Sequence, residues 1–215
     1  QLGIGAIPDA VLTALRGHRG LKIWTEMFSD GVAELHRSGC LDDQLPVTSS
    51  FLFGSQDLYD WVHFNQQVHM LRTDIVNDPA QIARQVLMTS VNAALQVDLF
   101  DQANASRIGN RIYSGFGGAT DFVVGAQHAR GGQSFIALPS WHAKAQQSTI
   151  VGKLTEPVTS VQHTAVATEQ GIAQMFGHSQ SEQAANLIAH AAHPDAREQL
   201  REQAAQFGLA PGRTG

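Results

Sequence analysis

Leu21-Lys22-Ile23-Trp24-Thr25-Glu26-Met27-Phe28-Ser29-Asp30-Gly31 is the stretch on which the reading of this chain turns. The run Leu21-Lys22-Ile23-Trp24 predicts a buried strand, and Ser29-Asp30-Gly31 is a turn signal. Glu26 is therefore expected at a strand end, where loops and chemistry collect in open α/β sheets. Glycine-rich segments lie on both sides, Gly3-Ile4-Gly5-Ala6-Ile7-Pro8 and Gly115-Phe116-Gly117-Gly118-Ala119-Thr120-Asp121-Phe122. A carboxylate facing the backbone N–H groups of two such loops can act as a covalent nucleophile toward an acyl group. Taken alone, Glu26 also reads as a surface glutamate closing a strand.

The pattern around this stretch alternates strands with helices, which predicts an α/β fold with a mainly parallel sheet and helices on both faces. Ile7, Val11, Leu12 and Leu15 form an apolar stripe at helical spacing, with Pro8 as an early helical residue. Residues 31–38 read as a helix stopped by Gly39, residues 50–53 as a strand and 57–63 as a helix. Asn77 is placed to cap a helix whose first turn holds Asp78 and Pro79, although a cap role does not exclude chemistry. Residues 86–91, 94–98, 134–138 and 164–167 read as core strands. Helices are expected over 181–191 and 196–207, with Pro194 between them. One domain is drawn over 1–207, followed by a frayed tail over 208–215.

The glycine loops narrow the ligand class. Gly3-x-Gly5 ahead of a helix leaves N–H groups available and admits close approach. No Gly-Lys-Ser/Thr follows either loop, which excludes a phosphate P-loop, and Pro8 stands where a dinucleotide fingerprint needs its third glycine. Each loop also reads as a tight turn. The ten histidines include His190 and His193 at i, i+3 spacing, but without a His-Glu-x-x-His pattern, so no metal is expected. Gly177-His178-Ser179-Gln180-Ser181 lacks the second glycine of a nucleophile elbow.

Composition restricts the setting. With 43% hydrophobic and 15% charged residues and a net charge of −5, the chain carries no basic field for nucleic acid or an anionic membrane. Its apolar runs fall short of the roughly 20 residues a membrane span needs. Cys40 is the single cysteine, read as a buried filler in a reducing, cytoplasmic compartment.

Ordered pieces along nearly the whole chain carry a family resemblance. They include Gly3-Ile4-Gly5-Ala6-Ile7-Pro8, Glu26-Met27-Phe28-Ser29-Asp30-Gly31, Val76-Asn77-Asp78-Pro79, Tyr113-Ser114-Gly115-Phe116-Gly117-Gly118, Ala137-Leu138-Pro139-Ser140 and Ala192-His193-Pro194-Asp195. In this order the chain resembles the C-terminal domain of the acetyl-CoA hydrolase/transferase (4-hydroxybutyrate CoA-transferase-like) family of class I coenzyme A transferases. The resemblance implies a CoA-transferase (NagB/RpiA-like) fold. It also implies transfer of coenzyme A between an acyl-CoA and a small carboxylic acid through a glutamyl-CoA thioester on Glu26.

By the same resemblance Asn77 lies near the acyl group or the thioester, and Gly118 or a neighbour donates to the oxyanion. Gly3, Ile4, Gly5, Ala6, Ile7, Gly117 and Gly118 line the thioester, and Lys144 meets coenzyme A. Lys144 reads equally as a solvated surface lysine. Coenzyme A is then a substrate, and no permanently bound cofactor is expected. The break of the chain inside the glycine motif at Gln1 suggests a C-terminal fragment or separated domain that pairs with an N-terminal CoA-transferase domain. A natural half-length subunit is the other reading, and a homo-oligomer is expected at full length. An acyl-CoA (acetyl-CoA) hydrolase and a catalytically inert CoA-binding fragment are the alternative functions.

Overall fold

Helix α1 (Ala6–Ala14) opens the chain and buries Pro8 and Leu12, part of the expected apolar stripe. Aromatic and β-branched residues then favour β1 (Trp24–Phe28), and Asp30 opens α2 (Asp30–Arg37), which buries Val32, Ala33 and Leu35. They are followed by β2 (Val47–Leu52), α3 (Gln56–Val62), β3 (Val68–Met70), α4 (Thr73–Val76), α5 (Pro79–Ile82) and β4 (Thr89–Ala93). In this computed structural model, which describes residues 1–158 and 160–210, β1, β2 and β3 form a parallel sheet in that order.

The chain continues through β5 (Gln96–Asp98), β6 (Ala103–Asn104), β7 (Arg107–Ile108), β8 (Arg111–Ile112), α6 (Ala119–His128) and β9 (Gln133–Ala137). Next come β10 (Trp141–His142), β11 (Gln147–Ser148), β12 (Ile150–Val151), β13 (Ala165–Thr168) and β14 (Gly171–Gln174). Helix α7 (Gln180–Asn186) runs into a π-helical turn over Leu187–Ala191, and α8 (Arg197–Gln206) follows. The fold is thus mixed α/β. Its parallel pairs are spread over several small sheets: β12 with β5 and β13 with β9 are parallel, whereas β13–β14, β5–β6, β7–β8 and β10–β11 are antiparallel.

Two compact units result. The first holds Gln1–Val91 with Gly125–Gln133, the second Asn92–Val124 and the chain from Ser134 onward. Leu12, Phe28, Val32, Leu35, Cys40, Val47 and Leu58 make the core of the first unit. Cys40 is fully buried there, as a filler. Gly31 lets α2 approach α1, because a Cβ at this position would stand 2.6 Å from Leu12 Cδ1. The Asp30 carboxylate accepts from the Ser55 backbone N–H at 3.1 Å and from its hydroxyl at 2.5 Å, tying the start of α2 to the start of α3.

Val97, Leu99, Ile136, Ile150, Val166, Met175, Leu187 and Leu200 anchor the core of the second unit. Leu209 packs into it and its N–H donates to the Ala204 carbonyl at 2.8 Å, so packed chain runs two residues past the boundary expected at Phe207. The rest of the expected tail, 211–215, lies outside the described residues. Asp98 is buried and accepts from the backbone N–H groups of Phe100, Gln102 and Leu154 at 2.9–3.0 Å. Among the described residues no helix is long and apolar enough to cross a membrane.

Three boundaries depart from the sequence pattern. β1 continues through Met27 and Phe28, which pair with Phe51 and Leu52, so Glu26 sits mid-strand rather than at a strand end. The strand expected over 86–91 begins only at Thr89, because Leu87 turns through φ +58° and the Met88 N–H bonds back to Gln85. Asp78, not Asn77, caps α5: its side chain accepts from the Ala80 N–H, and Pro79 follows it at the first helical position.

Candidate active site

Within the first unit the register of β1 on β2 decides what surrounds Glu26. Thr25 stands across from Ser49 and Met27 from Phe51, so Ser50 stands across from Glu26, on the opposite sheet face from Thr25 and Met27. The strand is held firmly at this point, since Ser49 Oγ donates to the Glu26 backbone carbonyl at 2.9 Å. Glu26 is half-buried.

Asn77 closes the same corner. Its Nδ2 donates to Glu26 Oε1 at 3.0 Å across 51 residues of sequence. The opposite amide orientation would set two acceptors against each other, so the carboxylate dictates which way Asn77 points. Trp24 steadies the segment that carries it, donating from Nε1 to the Val76 carbonyl at 2.8 Å. Two polar atoms here are buried with no hydrogen-bond partner among the described residues: Asn77 Oδ1 and Ser50 Oγ. Leaving a buried polar atom unsatisfied costs about 1–3 kcal/mol, and such atoms are rare enough in folded chains to need a reason.

The 3–7 segment is fixed to the same strand. Thr25 Oγ1 donates to the Leu2 carbonyl at 2.9 Å, and Leu2 bridges Val91 in parallel. Gly5 caps α1 at φ +109°, a conformation reserved for glycine, and Ala6 and Ile7 are the first helical residues. Open space surrounds a Cβ built on Gly5, so backbone conformation rather than close approach explains that glycine. Ile4 and Gly5 line a cleft of about 700 Å³ together with Asp9, Arg16, Asp30 and Glu34. Arg16 pairs with Glu34, and Asp30 is held below the usual carboxylate range chiefly by the Ser55 hydroxyl, so the cleft is acidic.

Gly117, Gly118 and Lys144 belong to the second unit. Gly117 turns the chain at φ +54°, and the Gly118 carbonyl accepts from the Phe122 N–H at 3.1 Å as α6 begins. Gly118 is buried. Lys144 is exposed in the turn between β10 and β11, and Trp141 of that hairpin packs at a tilt against His193 with ring centroids 4.7 Å apart. Nearby, Ser140 binds Glu169 through both its amide and its hydroxyl. Burial pushes the Glu169 carboxyl up, but these donors outweigh it and pull it down to about 2. Among the described residues no three His, Cys, Asp or Glu groups gather closely enough to hold a metal ion.

Sequence reasoning misses Ser50 and the anchoring role of Trp24. A Ser-Ser pair in a strand carries no signal of its own, and the Trp24 partner lies 52 residues away.

The acetyl-CoA hydrolase/transferase C-terminal domain family matches residues 54–204, a stretch that includes Asn77, Gly117, Gly118 and Lys144 and begins after Glu26. Over 94% of its length the chain is 39% identical to the 4-hydroxybutyrate coenzyme A transferase of Clostridium kluyveri, covering 49% of that protein. Over 95% it is 40% identical to a succinyl-CoA:acetate/propanoyl-CoA:succinate CoA transferase of Fasciola hepatica, covering 45%. The crystal structure of RipA from Yersinia pestis superimposes with a TM-score of 0.91 at 34% identity, over 97% of this chain and 49% of that one. The chain therefore spans about half the length of the curated relatives it matches.

Proposed function

Because the chain belongs to the acetyl-CoA hydrolase/transferase C-terminal domain family, we propose that it supplies the nucleophile of an enzyme that moves coenzyme A from an acyl-CoA to a carboxylic acid. The observation that carries this reading is the bond from Asn77 to the half-buried Glu26 carboxylate. It fixes the orientation of the carboxylate, and an oriented carboxylate is what attack on an acyl carbon requires.

The steps balance with Glu26 as the covalent group. Its carboxylate attacks the acyl-CoA carbonyl carbon, the carbonyl electron pair moves to oxygen and returns as CoA thiolate leaves, and an acyl-glutamyl anhydride remains. The thiolate attacks Glu26 Cδ and expels the acyl carboxylate, giving a glutamyl-CoA thioester. An acceptor carboxylate takes up CoA by the reverse sequence. Each attack at Cδ places charge on the oxygen that Asn77 Nδ2 already contacts.

The remaining residues divide the substrate by chemistry. For the substrate carbonyl oxygen the family resemblance assigns a backbone N–H at Gly118 or a neighbour, in the turn that Gly117 sets. Gly3, Ile4, Gly5, Ala6 and Ile7 line the thioester. The carboxylates beside Ile4 and Gly5 would repel phosphates, which favours the uncharged pantetheine arm there. A phosphate suits the exposed Lys144 instead. An N-terminal CoA-transferase domain completes the enzyme. If water replaces the acceptor acid, the same thioester is hydrolysed, and the family name covers both outcomes.

Trapping tests the reading. Full-length protein given acyl-CoA and then borohydride is expected to carry a reduced, alcohol side chain at Glu26, located by peptide mass analysis. A label on another residue, or none, overturns it.

A further inference from the structure

We propose that Ser50 is a hydroxyl donor to the Glu26-derived acyl oxygen, completing with Asn77 a two-donor site for the charge that forms when Cδ is attacked. This inference rests on the reading of Glu26 as the nucleophile. Its own support is the geometry of the first unit. Ser50 and Glu26 are cross-strand neighbours on one face of a parallel pair, where strands lie about 4.8 Å apart. α4 packs against both strands and brings Asn77 to Glu26.

The hydroxyl of Ser50 is buried and has no hydrogen-bond partner among the described residues. The neighbouring Ser49 differs: its hydroxyl, on the other face, bonds the carbonyls of Glu26 and Phe51 at 2.9 and 3.0 Å. A serine that served only the fold would be spent in the same way. An unspent donor next to a reacting carboxylate is preorganised for charge that appears only during reaction, when it stabilises the transition state more than the ground state.

When thiolate or carboxylate attacks Cδ, the C=O electron pair moves onto oxygen. Asn77 Nδ2 and Ser50 Oγ each direct a proton at that oxygen without transferring it. Collapse restores the carbonyl as the leaving group departs with its electron pair, and the hydroxyl ends unchanged.

Ser50→Ala, Ser50→Thr and Ser50→Val in the full-length protein test this. Ser50→Ala is expected to lower kcat and kcat/KM together by about a hundredfold, the usual cost of one such donor, with KM unchanged. Its unfolding midpoint in urea is expected to hold or rise, since it deletes an unsatisfied buried hydroxyl. Thr and Val have nearly the same shape, so Ser50→Thr is expected to keep most of the turnover that Ser50→Val loses. Wild-type turnover in Ser50→Ala, or equal losses in the Thr and Val variants, overturns the proposal. Borohydride labelling of Glu26 in the wild type is read separately: its failure removes the nucleophile assignment itself, whatever Ser50 does.

Discussion

Glu26 in the first unit and Asp98 in the second are carboxylates on short parallel strands, and their surroundings are opposite in kind. Asp98 is almost fully buried, and its oxygens are taken by three backbone N–H groups that hold the turn after β5 and the chain near Leu154. Glu26 is half-buried, takes a side-chain amide from Asn77, and has an unspent hydroxyl across the strand pair. Backbone donors fix a carboxylate as architecture, because the main chain cannot yield without unfolding a loop. Side-chain donors hold one in place while leaving its carbon open to attack.

Exchanging charge at the two sites should therefore separate activity from stability. Glu26→Gln is nearly isosteric, so its unfolding midpoint is expected to match the wild type while CoA transfer falls by several powers of ten. Normal turnover in that variant would break the contrast at its functional end. Asn77→Ala sharpens it: losing one donor is expected to cost about a hundredfold in kcat, equivalent to about 2.7 kcal/mol, with little change in stability. A variant that simply unfolds would show Asn77 to be architecture after all.

The smallest effect belongs to the other carboxylate. Asp98→Asn sets an amide against N–H donors and is expected to lower folding stability by about 2 kcal/mol in urea titration, with kcat per folded molecule retained. The penalty should also depend on pH. Burial, aided by the nearby Asp101 and opposed by the amides of Leu154, Gln102 and Phe100, raises the Asp98 carboxyl above its ordinary 3.8. The folded state therefore binds that proton at a higher pH than the unfolded state does. The wild type then gains stability from this group as pH falls from its raised value toward 3.8, and the gap to Asp98→Asn widens over that window. A gap that narrows there would contradict the assigned direction.

What the sequence discloses follows the range of the interactions. α2 and α3 begin within a residue of their expected starts because their signals are local: Asp30 opens one, the other follows Ser55, and Gly39 at φ +66° stops α2. Glu26 is legible as the reactive candidate from the motif around it. Its mid-strand position is not, since that depends on pairing with a segment more than 20 residues away. Asn77 and Asp78 are adjacent residues with the same capping chemistry, and only tertiary structure sends one to Glu26 and the other to Ala80. Ser50 is invisible for the same reason. Its significance lies in the register of β1 on β2 and in a partner it does not have.

The contact at Gly31 has a mechanical meaning. With no room for a Cβ between α2 and Leu12, the two helices behave as one stiff piece, and Asp30 bolts that piece to the corner at Ser55. A ligand pressing on Gly5 at the tip of α1 thus meets a strut rather than a hinge.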